Sequence, residues 1–117
     1  MEPIFHITSK EHWHVSQCEG EYRGDTLASE GFIHCSTAAQ IIRTANFIFR
    51  GRTDLVVLRI APGLLKAHVV YEDTSGTGED FPHIYGPLNL VAVEGIQELV
   101  LGADGSFLPL SAEWITP

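Results

Sequence analysis

The chain predicts an α+β fold built from short strands and two main helices, and three observations carry that expectation. Apolar and β-branched runs of about strand length recur along it, as in Asp54 to Ile60 (DLVVLRI). Two segments instead carry capping residues and helical spacing, around Trp13 and from Ala38 to Phe49. Gly- and Pro-containing stretches separate these segments, and no repeat or low-complexity tract interrupts them. With 117 residues, 44% of them hydrophobic and 19% charged, the chain is long and apolar enough to bury one core, so a single domain over 1–117 is expected.

Pro3 to Thr8 (PIFHIT) reads as a strand, and Thr8 with Glu11 offers a capping box for a helix over 9–18 that carries Trp13 inward and ends at Gly20. Residues 21–30 are irregular, anchored by Tyr22 and Leu27. Gly31 to Cys35 is a second strand. Thr37 and Gln40 then offer another capping box, for a helix with Ala38, Ile41, Ile42, Ala45 and Phe49 on one side and Gln40, Arg43 and Arg50 on the other. Gly51 closes that helix, and Asp54 to Ile60 follows as a central strand buried on both faces. Pro62-Gly63 turns the chain into a strand over Ala67 to Glu72, and Asp73 to Asp80 forms a polar, mobile loop, an idle surface loop in the commoner case and otherwise placed to act as a lid. The prolines at 82 and 87 stiffen an extended stretch that carries His83 and Tyr85. Leu88 to Val93 and Ile96 to Leu101 complete the sheet as one strand with a bulge at Glu94-Gly95, followed by a turn at 103–106.

Fifteen acidic residues against seven basic give a net charge of −8, which repels polyanions and argues against duplex nucleic acid as a partner. No leader pattern or bilayer-length apolar run is present, so a cytoplasmic protein with no membrane partner is expected. Cys18 and Cys35 lie too far apart for a CxxC motif and read as free thiols, Cys35 as a small buried hydrophobe.

The chemistry concentrates in one pattern. Three times a histidine stands two residues before a hydroxyl in an extended segment: His6-Ile7-Thr8, His34-Cys35-Ser36 and His83-Ile84-Tyr85. Residues two apart in a strand share a face, so each segment presents an imidazole beside a hydroxyl and turns Ile7, Cys35 or Ile84 the other way. A pocket shared by such units would offer neutral, directional hydrogen bonds suited to ribose hydroxyls, amides and pyrophosphate oxygens, with histidine able to move a proton. Converging histidines could also ligate zinc in a metal-assisted hydrolase, although the close i, i+4 pair common in such sites is missing and no resident metal is expected. A third possibility is an interaction module in which these blocks serve only turns and packing. His12 and His14 read as a solvated pair on the first helix, His68 as structural, and Glu72 as an exposed strand-end charge that could alternatively orient a ribose or act as a base.

The blocks HIT, EGFIHCST (Glu30 to Thr37) and FPHIYGPL (Phe81 to Leu88) resemble the hallmarks of a bacterial family of small proteins of unknown function, over nearly the whole chain. That family in turn resembles the ADP-ribosyltransferase superfamily in fold, which implies small split sheets, mixed or antiparallel, around a bound NAD. The resemblance implies that His6 serves the adenine-side ribose and Thr8 the nicotinamide or its ribose, with His34 and Ser36 also holding the nucleotide. Of the block residues, His83, His34 and Tyr85 are the candidates for the reacting centre, and the chain departs from the superfamily in offering His83 and Tyr85 where a carboxylate is usual. NAD or an ADP-ribose-type nucleotide is the implied ligand; the carboxylate's absence from the third block argues against transfer to protein and leaves open transfer of ADP-ribose to phosphate and nucleotide binding alone.

Overall fold

Residues 2–116 are described by a computed structural model. In chain order the elements are β1 (Ile4–Ser9), α1 (Lys10–Glu19), β2 (Glu21–Tyr22), α2 (Leu27–Glu30), β3 (Ile33–His34), α3 (Ile41–Ile48), β4 (Leu55–Ile60), β5 (His68–Glu72), β6 (Phe81–Tyr85), β7 (Leu88–Asn89), β8 (Val93–Glu98) and α4 (Ala112–Ile115). The strands form three small sheets, ordered β1-β4-β8, β3-β6-β5 and β2-β7, and every named pairing is antiparallel. The fold is therefore α+β with two main helices, and its sheets are antiparallel rather than mixed.

Alternation along β1 and β4 organises the interior. Ile4, Val56, Leu58 and Ile60 pack with Trp13 of α1, Tyr22 of β2, Ile33 of β3 and Ile84 of β6 in one core. Phe5, Ile7, Leu55 and Val57 point the other way, into a second core with Ile41 and Ala45 of α3 and with Leu99, Phe107 and Leu110 of the C-terminal segment. Because successive strand side chains alternate and both sets are apolar here, β4 is covered on both faces, as its composition predicts.

The chain beyond β3 joins the two larger sheets. Ile33 and His34 pair with β6, and the Cys35 N–H donates to the Pro82 carbonyl. One residue later Phe5 and Ser36 exchange two backbone hydrogen bonds, each 2.8 Å, along the other side of β1 from β4. A segment of four residues thus hydrogen-bonds first to one sheet and then to the other.

Several boundaries differ from the sequence expectation. Ser9, not Thr8, caps α1: its hydroxyl accepts from the His12 N–H at 3.0 Å, while Thr8 remains in the strand and is buried. The helix ends as expected at Gly20, whose φ of 90° places it in the left-handed region that glycine adopts without strain. At α3 only half of the capping box forms, with the Gln40 side-chain oxygen accepting from the Thr37 N–H at 3.0 Å, and the helix begins at Ile41. The single strand expected beyond Leu88 is two strands. β7 pairs with β2, a 3-10 turn at Leu90–Ala92 redirects the chain, and β8 pairs with β4. The expected bulge is present at Glu94, since Arg59 pairs with Gly95 and Ile60 with Val93.

Gly95 also has a packing reason, because a Cβ added there would lie 2.9 Å from the Trp114 ring nitrogen. Trp114 belongs to the segment that packs on the second core and meets the Phe5 ring at 5.6 Å. Gly95→Ala is expected to displace it and to lower unfolding free energy by about 1–3 kcal/mol, the usual cost of overpacking. Urea denaturation measures this, and a variant as stable as the parent would contradict the close approach.

Candidate functional site

A cavity of about 610 Å³ opens between β1, the β3–Ser36 segment, α3 and the loop after β5. That size lies within the range of about 300–1,000 Å³ common to small-molecule sites. Residues from all three histidine blocks line it: His6, His34 with Ser36, and His83. Two of the predicted residues do not line it. Thr8 is buried beside the Tyr22 phenol, and Tyr85 is partly exposed on the outer side of Glu72.

His6 is held at both ring nitrogens. Its Nδ1 lies 2.5 Å from the His34 carbonyl oxygen, which can only accept, so Nδ1 carries the hydrogen. Its Nε2 therefore accepts from the Tyr22 hydroxyl at 2.6 Å. Burial pushes the imidazole from its ordinary value near 6.5 down to about 4, and it also pushes the Tyr22 phenol upward. A neutral ring with both nitrogens engaged ties β1, β2 and β3 together and has no free position for a ligand atom. His12 joins this layer, contrary to its reading as solvated: it is half-buried, its ring lies 4.8 Å from that of Tyr22, and its Nδ1 is 3.5 Å from Asp25. His14 is exposed, as expected.

The second cluster is the chemical one. Glu72 ends β5, and its Oε2 accepts from His83 Nδ1–H at 2.8 Å and from the Tyr85 hydroxyl. Antiparallel pairing of Val70 with His83 and Glu72 with Phe81 puts these side chains on one face as diagonal neighbours. The Tyr85 and His83 hydrogen bonds hold the Glu72 carboxyl below the usual carboxylate range, and the same carboxylate raises the Tyr85 phenol. His83 is only 2% exposed, with its ring stacked 4.2 Å from Phe32. His34 meets it edge-on at 5.0 Å and lies 3.2 Å from Glu30. With Nδ1–H committed to Glu72, the other ring nitrogen of His83 is the basic one, and it has no hydrogen-bond partner among the described residues. This carboxylate–imidazole pair is the arrangement that orients a histidine for general-base work.

Glu72 is thus no idle strand-end charge. The signal that could have found it is the β5–β6 hairpin, because folding the two strands about the loop at 73–80 brings Glu72 diagonal to His83.

That loop is fastened rather than loose. Asp73 accepts from the Thr77 and Gly78 N–H groups at 3.0 and 2.7 Å. Glu79 accepts from Arg43 at 2.7 Å and from Gln40 at 3.0 Å, which pins the loop's far end to α3 and the turn before it. The charged side chains lining the cavity are Asp25, Glu72, Asp73 and Glu79 against Arg43 alone. Ser36 is buried, 3.4 Å from the Thr44 hydroxyl, and burial raises the Cys35 thiol, consistent with an inert core cysteine. Among the described residues no three His, Cys, Asp or Glu side chains are arranged to hold a metal ion. No helix among them is long and apolar enough to cross a membrane.

The state of His6 sets a pH dependence. Between its unfolded value near 6.5 and its folded value of about 4 the unfolded chain binds the extra proton, so stability falls as pH drops through that window and levels off below it. At about 1.4 kcal/mol per unit, the loss reaches about 3–4 kcal/mol. Urea midpoints across that window measure it, and Tyr22→Phe, which strips the donor from Nε2, should cost about 1–3 kcal/mol near neutrality.

Among solved structures, the chain is similar to the protein CC0527 of Caulobacter crescentus. Its crystal structure superposes with a TM-score of 0.82 at 34% identity, covering 91% of this chain and 93% of that one. Its solution NMR structure gives 0.76 at 33% identity over 97% of each chain. No functionally curated protein matches. Residues 7–96 match the family described as protein of unknown function DUF952, so the chain is a member of the DUF952 family.

Proposed function

We propose that the cavity binds an NAD-type dinucleotide and that the Glu72–His83 pair serves transfer of its ADP-ribose group. The observation that carries this reading is the carboxylate-oriented imidazole at the wall of a cavity that also presents hydroxyls, two further histidines and a net excess of carboxylates. The likeness of the histidine blocks to the ADP-ribosyltransferase superfamily suggests the ligand, and Glu72 supplies the carboxylate that the third block lacks in sequence.

In this reading the bond between the nicotinamide nitrogen and ribose C1′ breaks with its electron pair leaving on the nicotinamide, and a cationic ribosyl centre develops. Carboxylates near such a centre stabilise it. The acceptor's lone pair forms the new bond to C1′, and the free nitrogen of His83 takes the acceptor's proton while Glu72 stabilises the resulting imidazolium. His34 and Ser36, which line the cavity, bond ribose hydroxyls in this reading. His6 holds the wall of the site in this account, and Thr8 and Tyr85 act behind it rather than on the ligand.

Charge sharpens the expectation. Four carboxylates against one arginine favour a ligand with a cationic end, and the nicotinamide ring is cationic in NAD+ but neutral in NADH. NAD+ should raise the thermal midpoint of the protein and bind about tenfold or more tightly than NADH, as expected for a charge a few ångströms from carboxylates at a partly exposed site. Glu72→Gln should lose that preference and the release of nicotinamide. Absence of any midpoint shift with millimolar NAD+ would rule the reading out.

A further inference from the structure

Resting on that reading, we infer that Phe47 and Ile48 form the platform on which the nucleobase of the dinucleotide lies. Helix α3 already has its core face: Ile41 and Ala45 are buried, with Ile42 and Phe49 packed beside them in the second core. Phe47 and Ile48 add nothing to it. Phe47 is 88% exposed, the highest value among the large hydrophobic residues described, and Ile48 is 61% exposed, yet both line the cavity.

Helical spacing explains how. Arg43 and Phe47 lie four residues apart on one stripe, and Thr44 and Ile48 on the neighbouring one, and all four border the cavity. The lining is thereby divided in character. One part carries Glu72, His83 and His34, and the α3 part presents an aromatic ring, a branched aliphatic side chain and the lining's one cation, Arg43.

A bare phenyl face beside a cavity suits a flat heteroaromatic ring, because stacking covers the apolar surface and every base offers a π-face. Arg43 adds phosphate chemistry to the same part. Its present partner is Glu79 at 2.7 Å; the Arg43 side chain is exposed and that of Glu79 half-buried. Glu79 keeps its Gln40 donor if Arg43 turns away, so the exposed guanidinium can exchange Glu79 for a phosphate oxygen, which its fork fits in bidentate fashion. Base on Phe47 and Ile48, phosphate near Arg43, and ribosyl-nicotinamide toward His83 is the order of groups in a dinucleotide.

Isothermal titration of the wild-type protein, Phe47→Ala and Phe47→Trp with NAD+ and with nicotinamide mononucleotide tests this. The mononucleotide keeps the reactive half and lacks the adenylate. Phe47→Ala should weaken NAD+ about tenfold, within the range measured for base–aromatic stacking, and leave the mononucleotide unchanged. Phe47→Trp should retain NAD+ affinity. Because the side chain is exposed, the alanine variant should unfold at the parental midpoint, which separates lost stacking from lost folding. The platform is overturned if Phe47→Ala binds NAD+ like the parent or loses both ligands equally. It is also overturned, with the reactive-end reading intact, if the wild-type protein binds the mononucleotide as tightly as NAD+. If the wild-type protein binds neither, the functional reading itself fails and takes the platform with it.

Discussion

Two backbone hydrogen bonds between Phe5 and Ser36, backed by the His6 ring on the His34 carbonyl, are the constraint on which this fold and its cavity depend. Among the described residues the β1-β4-β8 sheet and the β3-β6-β5 sheet otherwise meet through side-chain packing. The short segment after His34 leaves β6 and bonds to β1 within two residues, so one backbone runs between both sheets. Its position also fixes where His34 and Ser36 stand at the cavity wall. Burying His6 as a neutral ring is what this junction costs. Both of its nitrogens are satisfied, so the penalty is confined to acid pH, where the unfolded chain gains a proton that the folded chain refuses.

The three His-x-hydroxyl units are alike in sequence and different in use, and their surroundings make the difference. His6 and Thr8 point toward Tyr22 and are consumed in holding strands together. His34 and Ser36 keep polar groups at the cavity. His83 is oriented by a carboxylate from the adjacent strand, and Tyr85 braces that carboxylate from outside. A histidine accepting from a buried phenol is a strut, whereas one donating to a carboxylate with its second nitrogen unpaired is equipped for proton transfer. The partner atom decides, and partners lie across strand pairings that local sequence does not encode.

That is also why the chain was legible only in part. β4 could be read from DLVVLRI because burial on both faces leaves a composition signature, and the end of α1 at Gly20 because the left-handed conformation there favours glycine. The convergence of His6, His34 and His83 followed from strand alternation plus the coincidence of three similar blocks. Glu72 reads in sequence as an exposed strand-end charge, with a base as the alternative, because the choice depends on the register between β5 and β6. Polar composition predicts a mobile loop at 73–80, whereas the Arg43 and Gln40 contacts to Glu79 that fasten it are tertiary. β7 and β8 merged into one expected strand because the sheets that divide them, through β2 and β4, come from distant parts of the chain. The histidine on α1 that lies against Tyr22 differs from its solvated neighbour only by helix face.

The central claim is that partners assign these histidines opposite roles, and ring-nitrogen NMR of the 15N-labelled protein reads those partners directly. In the wild-type protein both His6 and His83 should show the Nδ1–H tautomer, each with a slowly exchanging ring proton. Glu72→Gln should leave the His6 pattern intact while releasing His83 to average between tautomers. An Nε2–H form of His83 in the wild-type protein, or equal disturbance of both rings by the Glu72 substitution, would contradict the account.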